Sequence, residues 1–65
     1  MIRTVIRLRN NMVMVFDDEG EQISEYQGQY EDVKERILTD APEGAVFNHW
    51  FGHSLEPEAV GEESW

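Results

Sequence analysis

The chain has 65 residues, fourteen of them acidic and five basic, which gives a net charge of -9, and it contains no cysteine. A chain this short forms a single small domain that buries only about 60% of its unfolded surface, with no help from disulfides or a cysteine zinc site. The charge argues against direct nucleic-acid binding, because phosphates would be repelled. No apolar run approaches the roughly 18 residues that span a membrane. The first residues enter a strand pattern rather than a secretion signal, so we expect a cytoplasmic protein.

An N-terminal hairpin is the first predicted element. Residues 4–9 alternate in polarity, as in a half-buried strand, and the apolar run Met12 to Phe16 predicts a central strand. Between them, Asn10-Asn11 predicts a two-residue loop, because asparagine tolerates positive φ. One face then carries Thr4, Ile6, Leu8, Val13 and Val15, and the other carries Val5, Arg7, Arg9, Met12, Met14 and Phe16.

A three-residue loop is the alternative for this hairpin. It would shift the register by one residue and exchange the two faces of the second strand. We favour the two-residue loop because the longer one would ask Met12 to take a left-handed conformation.

The next segments predict a third strand and a helix. Asp18-Glu19-Gly20 marks a reversal, after which Glu21 to Gln27 could return as a charged edge strand. A helix is expected from Gln29 or Tyr30 to about Thr39, where Pro42 and Gly44 follow as stop signals. Its apolar stripe consists of Tyr30, Val33, Ile37, Leu38 and Ala41.

Aromatic residues dominate the last predicted strand, from Val46 to Phe51. The fold class that follows is α+β: a small antiparallel sheet, made of the hairpin or a three-strand meander plus this C-terminal strand. One helix packs on the face that bears Ile6, Leu8, Val13 and Val15. Residues 1–52 are predicted to form the domain, and residues 53–65 an acidic, mobile tail. Leu55, Val60 and Trp65 are the exception, since apolar residues in such a tail can dock on the body of the protein.

No catalytic, metal or cofactor site is predicted. His49 and His53 have the spacing of two helical metal ligands, but Gly52 and a strand pattern lie between them, and a zincin-type glutamate is missing. Paired acids such as Asp17-Asp18 are expected in a solvated turn, where nothing desolvates them for acid-base chemistry. We therefore expect neither an enzyme nor a small-molecule substrate site.

The predicted partner is a protein. Arg7 and Arg9 share a predicted face with Met12, Met14 and Phe16, and these residue types are enriched at interface cores. The leading hypothesis is a non-enzymatic interaction or regulatory module, with self-association through the uncovered face as one form of it. The alternative is an acidic inhibitor that mimics nucleic-acid phosphates and blocks a basic nucleic-acid-binding protein, with Asp18, Glu19 and Glu21 in the contact. In size and charge only, the chain resembles small acidic anti-restriction and anti-CRISPR proteins.

Overall fold

The computed structural model describes residues 1–52 and 55–65, and it confirms the predicted α+β class. Within these residues one helix packs on a five-stranded sheet. The elements are β1 (Ile2–Leu8), β2 (Met12–Asp17), β3 (Gly28–Gln29), α1 (Tyr30–Asp40), β4 (Val46–Trp50) and β5 (Glu58–Val60), with short 3-10 turns at Ser24–Tyr26 and Glu62–Ser64.

The sheet is mixed rather than purely antiparallel. Its strand order is β3-β2-β1-β4-β5, and every neighbouring pair is antiparallel except β1 and β4, which are parallel. The reason is the connection: α1 lies between β3 and β4 in the chain, and a helix is the usual crossover that lets two strands run in the same direction. The hairpin and the last predicted strand are therefore both present, with a different pairing direction between them.

The predicted hairpin register is wrong by one residue. The loop has three residues, Arg9 to Asn11: the Asn11 amide donates to the Leu8 carbonyl at 2.9 Å, and Val5 pairs with Val15. Asn11 is the residue with left-handed backbone, at a φ of 65°. The objection to the longer loop was that Met12 would need this conformation, and it does not apply because asparagine takes it instead.

The corrected register exchanges the faces of β2. Val5 now shares a face with Val13 and Val15, and Ile6 pairs with Met14 on the other face. A bulge between Ile2 and Thr4 also pairs Ile2 with Asp17, which places Ile2 in the core beside Val5.

The third predicted strand, Glu21 to Gln27, does not form. A single bridge joins Phe16 to Gln22, and the Ile23 amide donates to the Val15 carbonyl at 2.8 Å. The chain then makes the 3-10 turn and pairs again with β2 only at Gly28 and Gln29. The short edge strand leaves little unpaired backbone for another chain to extend.

Helix α1 confirms the prediction, including its apolar stripe. It starts where the Tyr30 amide donates to the Asn11 carbonyl at 2.7 Å, and it ends at Asp40, two residues before Pro42. Val33 and Ile37 are buried in the same cluster as Val5, Val13, Val15 and Phe47. The helix therefore covers Val13 and Val15 as predicted, but Val5 lies beside them in place of Ile6 and Leu8. We call the covered face the helix side.

Strand β5 joins the sheet and Trp65 joins the core, which corrects the expectation that the whole C-terminal segment is a mobile tail, whereas Leu55 is exposed. β5 pairs with β4 from Phe47 to His49, so the sheet crosses the predicted boundary at residue 52. The Trp65 side chain is only 3% exposed and makes edge-to-face contacts with Tyr30 and Phe47, with ring centroids 5.1 Å apart in both pairs. The buried contacts of Trp65 stabilise the ordered state of this segment, although its many acids favour disorder.

Candidate interaction surface

One side of the sheet is not covered by the helix. Side chains alternate along each strand, so the pairings place every second residue of β1, β2 and β4 on this side, together with the middle residue of β5. We call it the open face. The residues of these four strands on this side are Thr4, Ile6, Leu8, Met12, Met14, Phe16, Val46, Asn48, Trp50 and Ala59, and the uncharged Gln29 of β3 lies beside Met12.

The open face carries no charged side chain among these ten residues, although charged residues make up 29% of the chain. Acids elsewhere give the molecule its net charge of -9. Strands with one face in water usually alternate apolar and polar residues, so that the side facing water is polar. The composition of this side is instead that of a surface that packs against something.

Side chains on the open face shield one another in part. Ile6, at the centre of the face, is 7% exposed although α1 lies on the opposite side of the sheet. Asn48 is 8% exposed, and its amide group donates to the carbonyls of Val5 and Val46 at 3.3 and 3.4 Å. The larger residues around them stay half-buried or exposed: Leu8, Met12, Met14, Phe16, Val46 and Trp50.

A depression lies at one corner of the open face. It has a volume of about 640 Å³, is open to solvent, and is lined by Leu8, Arg9, Asn10, Trp50 and Gly52. Leu8 and Trp50 are paired neighbours on β1 and β4, so the floor between them is apolar. Arg9 is exposed and supplies a positive charge at the rim.

Arg7 is not on the open face, which corrects the predicted grouping with Met12, Met14 and Phe16. It lies on the helix side, where its guanidinium carbon is 3.7 Å from the centre of the Tyr30 ring. It also donates to the Asn11 side-chain oxygen at 2.9 and 3.2 Å and to the main-chain oxygen of Trp65 at 2.9 Å. Arg7 therefore joins the hairpin loop, the start of α1 and the C-terminal residues, which is a structural role.

The remaining predicted contact residues lie at opposite ends of the hairpin. Arg9 is in the loop before β2, whereas Asp18, Glu19 and Glu21 are exposed in the turn after it. Six residues of strand separate the two ends, a distance of roughly 20 Å. The structure therefore brings together Met12, Met14 and Phe16, with a positive charge at one end of their row and the acids at the other.

Asp17 holds the acidic turn in place. Its carboxylate accepts hydrogen bonds from the amides of Glu21 and Glu19 at 3.0 and 2.9 Å. The hydrogen bond from Glu21 is the main reason that the pKa of Asp17 is lowered from its usual value of 3.8. Gly20 completes the turn with a φ of 82°.

Sequence analysis did not predict seven of the ten open-face residues: Thr4, Ile6, Leu8, Val46, Asn48, Trp50 and Ala59. Ile6 and Leu8 were assigned to the covered side through the wrong register, and Trp50 was on a strand whose two faces could not be told apart. The signal that would have corrected the first two is Asn11 itself, because a left-handed asparagine at the end of a three-residue loop is a common hairpin connection.

The described residues hold no group of three or more side chains that could bind a metal ion. His49 is on the helix side, stacked on Phe51 with ring centroids 4.6 Å apart, and its ring nitrogen lies 3.4 Å from the Trp65 main-chain oxygen. His53, its predicted pairing partner, lies outside the described residues. The Tyr26 hydroxyl donates to Asp40 at 2.7 Å, a hydrogen bond that raises the pKa of Tyr26 and ties the 3-10 turn to α1.

Comparisons with protein-family models, with curated proteins and with solved structures find no match for this chain. No helix of the described residues is both long and apolar enough to cross a membrane.

Proposed function

We propose that the protein is a small, non-enzymatic interaction module of the cytoplasm that self-associates through the open face of its sheet. The observation that carries the proposal is the largely apolar side of the sheet, on which the ten residues named above are uncharged and which no helix of the described residues covers. Large apolar patches on small proteins mark interaction surfaces, because leaving them in water is costly. Partners such as nucleic acid, a membrane or a small-molecule substrate are not part of the proposal.

The placement of the acids away from the open face leaves room for a second copy as the partner, although net charge opposes it. Two molecules of charge -9 repel each other, and this repulsion is strongest where acids face acids. The open face has no acids, so two copies can meet there with their acids kept at the rim and on the far side. An aromatic and methionine-rich centre with a charged rim is the usual arrangement of an interface.

The size of the face fits a weak dimer. The molecule measures 28 × 23 × 22 Å, so one face covers roughly 600 Å² and two stacked copies bury about 1,200 Å², the lower limit for a specific interface. The sheet edges offer less, since β3 has two residues and β5 has three. Face-to-face association is therefore favoured over edge-to-edge association.

Sedimentation equilibrium of the purified protein tests the proposal. We expect a monomer-dimer equilibrium in the micromolar range for the wild-type chain. Met14 pairs with Ile6 at the centre of the face. We expect Met14→Glu to give a folded monomer, because a dimer of this variant would bury two opposed carboxylates. Thr39→Glu on the exposed surface of α1 adds the same charge and should leave association nearly unchanged.

A wild-type protein that stays monomeric at high micromolar concentration would overturn this proposal. The second candidate, an acidic inhibitor of a basic nucleic-acid-binding protein, would then be favoured. One observation supports that candidate: Asp18, Glu19 and Glu21 are all exposed on one turn. It predicts binding that falls steeply with added salt, is lost when these acids are reversed to lysine, and is indifferent to Met14→Glu.

A further inference from the structure

Two complementary features lie at diagonally opposite corners of the open face. Phe16 is near the end of β2, level with Thr4, and the depression lies between Leu8 and Trp50 at the other end of β1 and β4. From Thr4 to Leu8 is four residues, or roughly 13 Å along the strands, and β2 lies about 5–10 Å across from the depression. Each molecule therefore has an aromatic side chain at one corner and an apolar depression at the other.

Charges follow the same diagonal. Arg9 lines the depression, and the acids Asp18 and Glu19 come directly after Phe16 and Asp17 in the chain. Within one molecule these opposite charges are held apart by the length of β2. Between two molecules they can meet, provided that the corners are exchanged.

We infer that two copies dock open face to open face about a two-fold axis perpendicular to this diagonal, so that Phe16 of each copy enters the depression of the other. The inference rests on the proposed self-association and specifies its geometry. A two-fold axis makes every contact occur twice, so both depressions are filled and both Arg9 side chains meet an acidic turn. An aromatic residue in an apolar depression with a charged rim is the usual form of an interface hot spot.

Charge reversal tests the arrangement. Arg9→Glu should weaken the dimer about tenfold or more, because each copy then opposes a carboxylate to the acidic turn of the other. Arg36→Glu makes the same change of charge on α1, which lies on the other side of the sheet, and should weaken the dimer about twofold at most. Thermal melts of both variants should match the wild type, since Arg9 and Arg36 are exposed.

A mixture of two weakened variants gives the sharper result. The double variant Asp18→Lys, Glu19→Lys should also dimerise poorly by itself, because its lysines oppose Arg9. Mixed with Arg9→Glu, it should form a heterodimer at least as tight as the wild-type dimer, since both contacts then pair opposite charges. Sedimentation equilibrium of the mixture and of each variant alone measures this restoration.

Truncation of the aromatic ring tests the apolar half of the contact. Phe16→Ala should weaken the dimer about tenfold, whereas Val46→Ala, on the same face but at neither docked corner, should weaken it less than about threefold. Equal effects of Arg9→Glu and Arg36→Glu, or the absence of a heterodimer in the mixture, would overturn this arrangement. The proposed self-association would survive either of those results if the wild type still dimerised and Met14→Glu still dissociated it. A monomeric wild type would overturn both the proposed self-association and this arrangement.

Discussion

The two faces of this sheet are built from alternate residues of the same strands, yet they differ in what covers them. On the helix side Val5 and Val15 are fully buried, beneath α1 and the Trp65 ring. On the open face their neighbours Ile6 and Met14 are equally apolar, but the described residues place no helix over them. The difference teaches that apolar content alone does not identify the core, because here both faces are apolar and only one is covered.

The largest expected effect separates the faces at two consecutive positions. Val15→Glu should abolish cooperative folding, because an unpaired carboxylate in the covered core costs several kcal/mol, and a domain of this size has only about 3–5 kcal/mol of stability. Met14→Glu, one residue away on the open face, should keep a cooperative thermal melt. Circular dichroism during heating measures both variants. If Met14→Glu also failed to fold, the open face would be part of the core of the monomer.

Met14 and Val15 also show which features of the fold can be predicted from the sequence and which cannot. Strands β1, β2 and β4 and helix α1 follow from local patterns, such as an apolar run bounded by turns and a stripe at helical spacing that ends before Pro42. Strands β3 and β5 do not. Which residues of β1 lie beside the covered residues of β2 depends on one backbone conformation, the left-handed φ of Asn11 rather than Met12. Two adjacent asparagines allow both loop lengths, so the choice is decided by how the completed sheet packs.

Contacts between distant parts of the chain were the least predictable. The parallel pairing of β1 with β4 and the docking of Trp65 between Tyr30 and Phe47 join segments far apart in sequence. No local pattern specifies them. The composition of residues 53–65 is that of a mobile segment, and only its isolated apolar residues indicated the docking that the structure shows for Trp65. Of the residues predicted for the contact surface, Met12, Met14 and Phe16 lie on one face and Arg7 lies on the other.

Tryptophan truncation gives a second, smaller contrast between the faces. Trp65→Ala should destabilise the protein by about 3 kcal/mol, since it removes a buried ring and its contacts with Tyr30 and Phe47. Trp50→Ala on the half-buried open face should cost less than half as much. Urea unfolding followed by the remaining tryptophan measures each variant. Equal losses would show that the open face is packed as tightly as the helix side.

Trp65→Phe refines that comparison. The Trp65 ring nitrogen is buried and makes no hydrogen bond within the part of the chain that the structure describes. An unsatisfied buried donor is destabilising, so replacing tryptophan with phenylalanine removes that penalty while it loses some packing. We therefore expect Trp65→Phe to retain most of the stability that Trp65→Ala loses.

The smallest expected effect concerns the turn that carries the acids, which belongs to neither face. Asp17 is only half-buried, so its hydrogen bonds to the Glu19 and Glu21 amides contribute little compared with the apolar packing of the helix side. Because the folded protein holds the pKa of Asp17 below 3.8, the unfolded chain binds the proton more tightly. The stabilisation is therefore present above pH 3.8 and is lost as the pH falls through the lower, folded-state pKa.

Asp17→Asn should melt slightly below the wild type near neutral pH, and the two melting temperatures should converge in stronger acid. A gap that persists unchanged in acid would mean that the carboxylate charge does not hold the turn, and a gap as large as that of Trp65→Ala would mean that the turn, rather than the covered face, dominates stability.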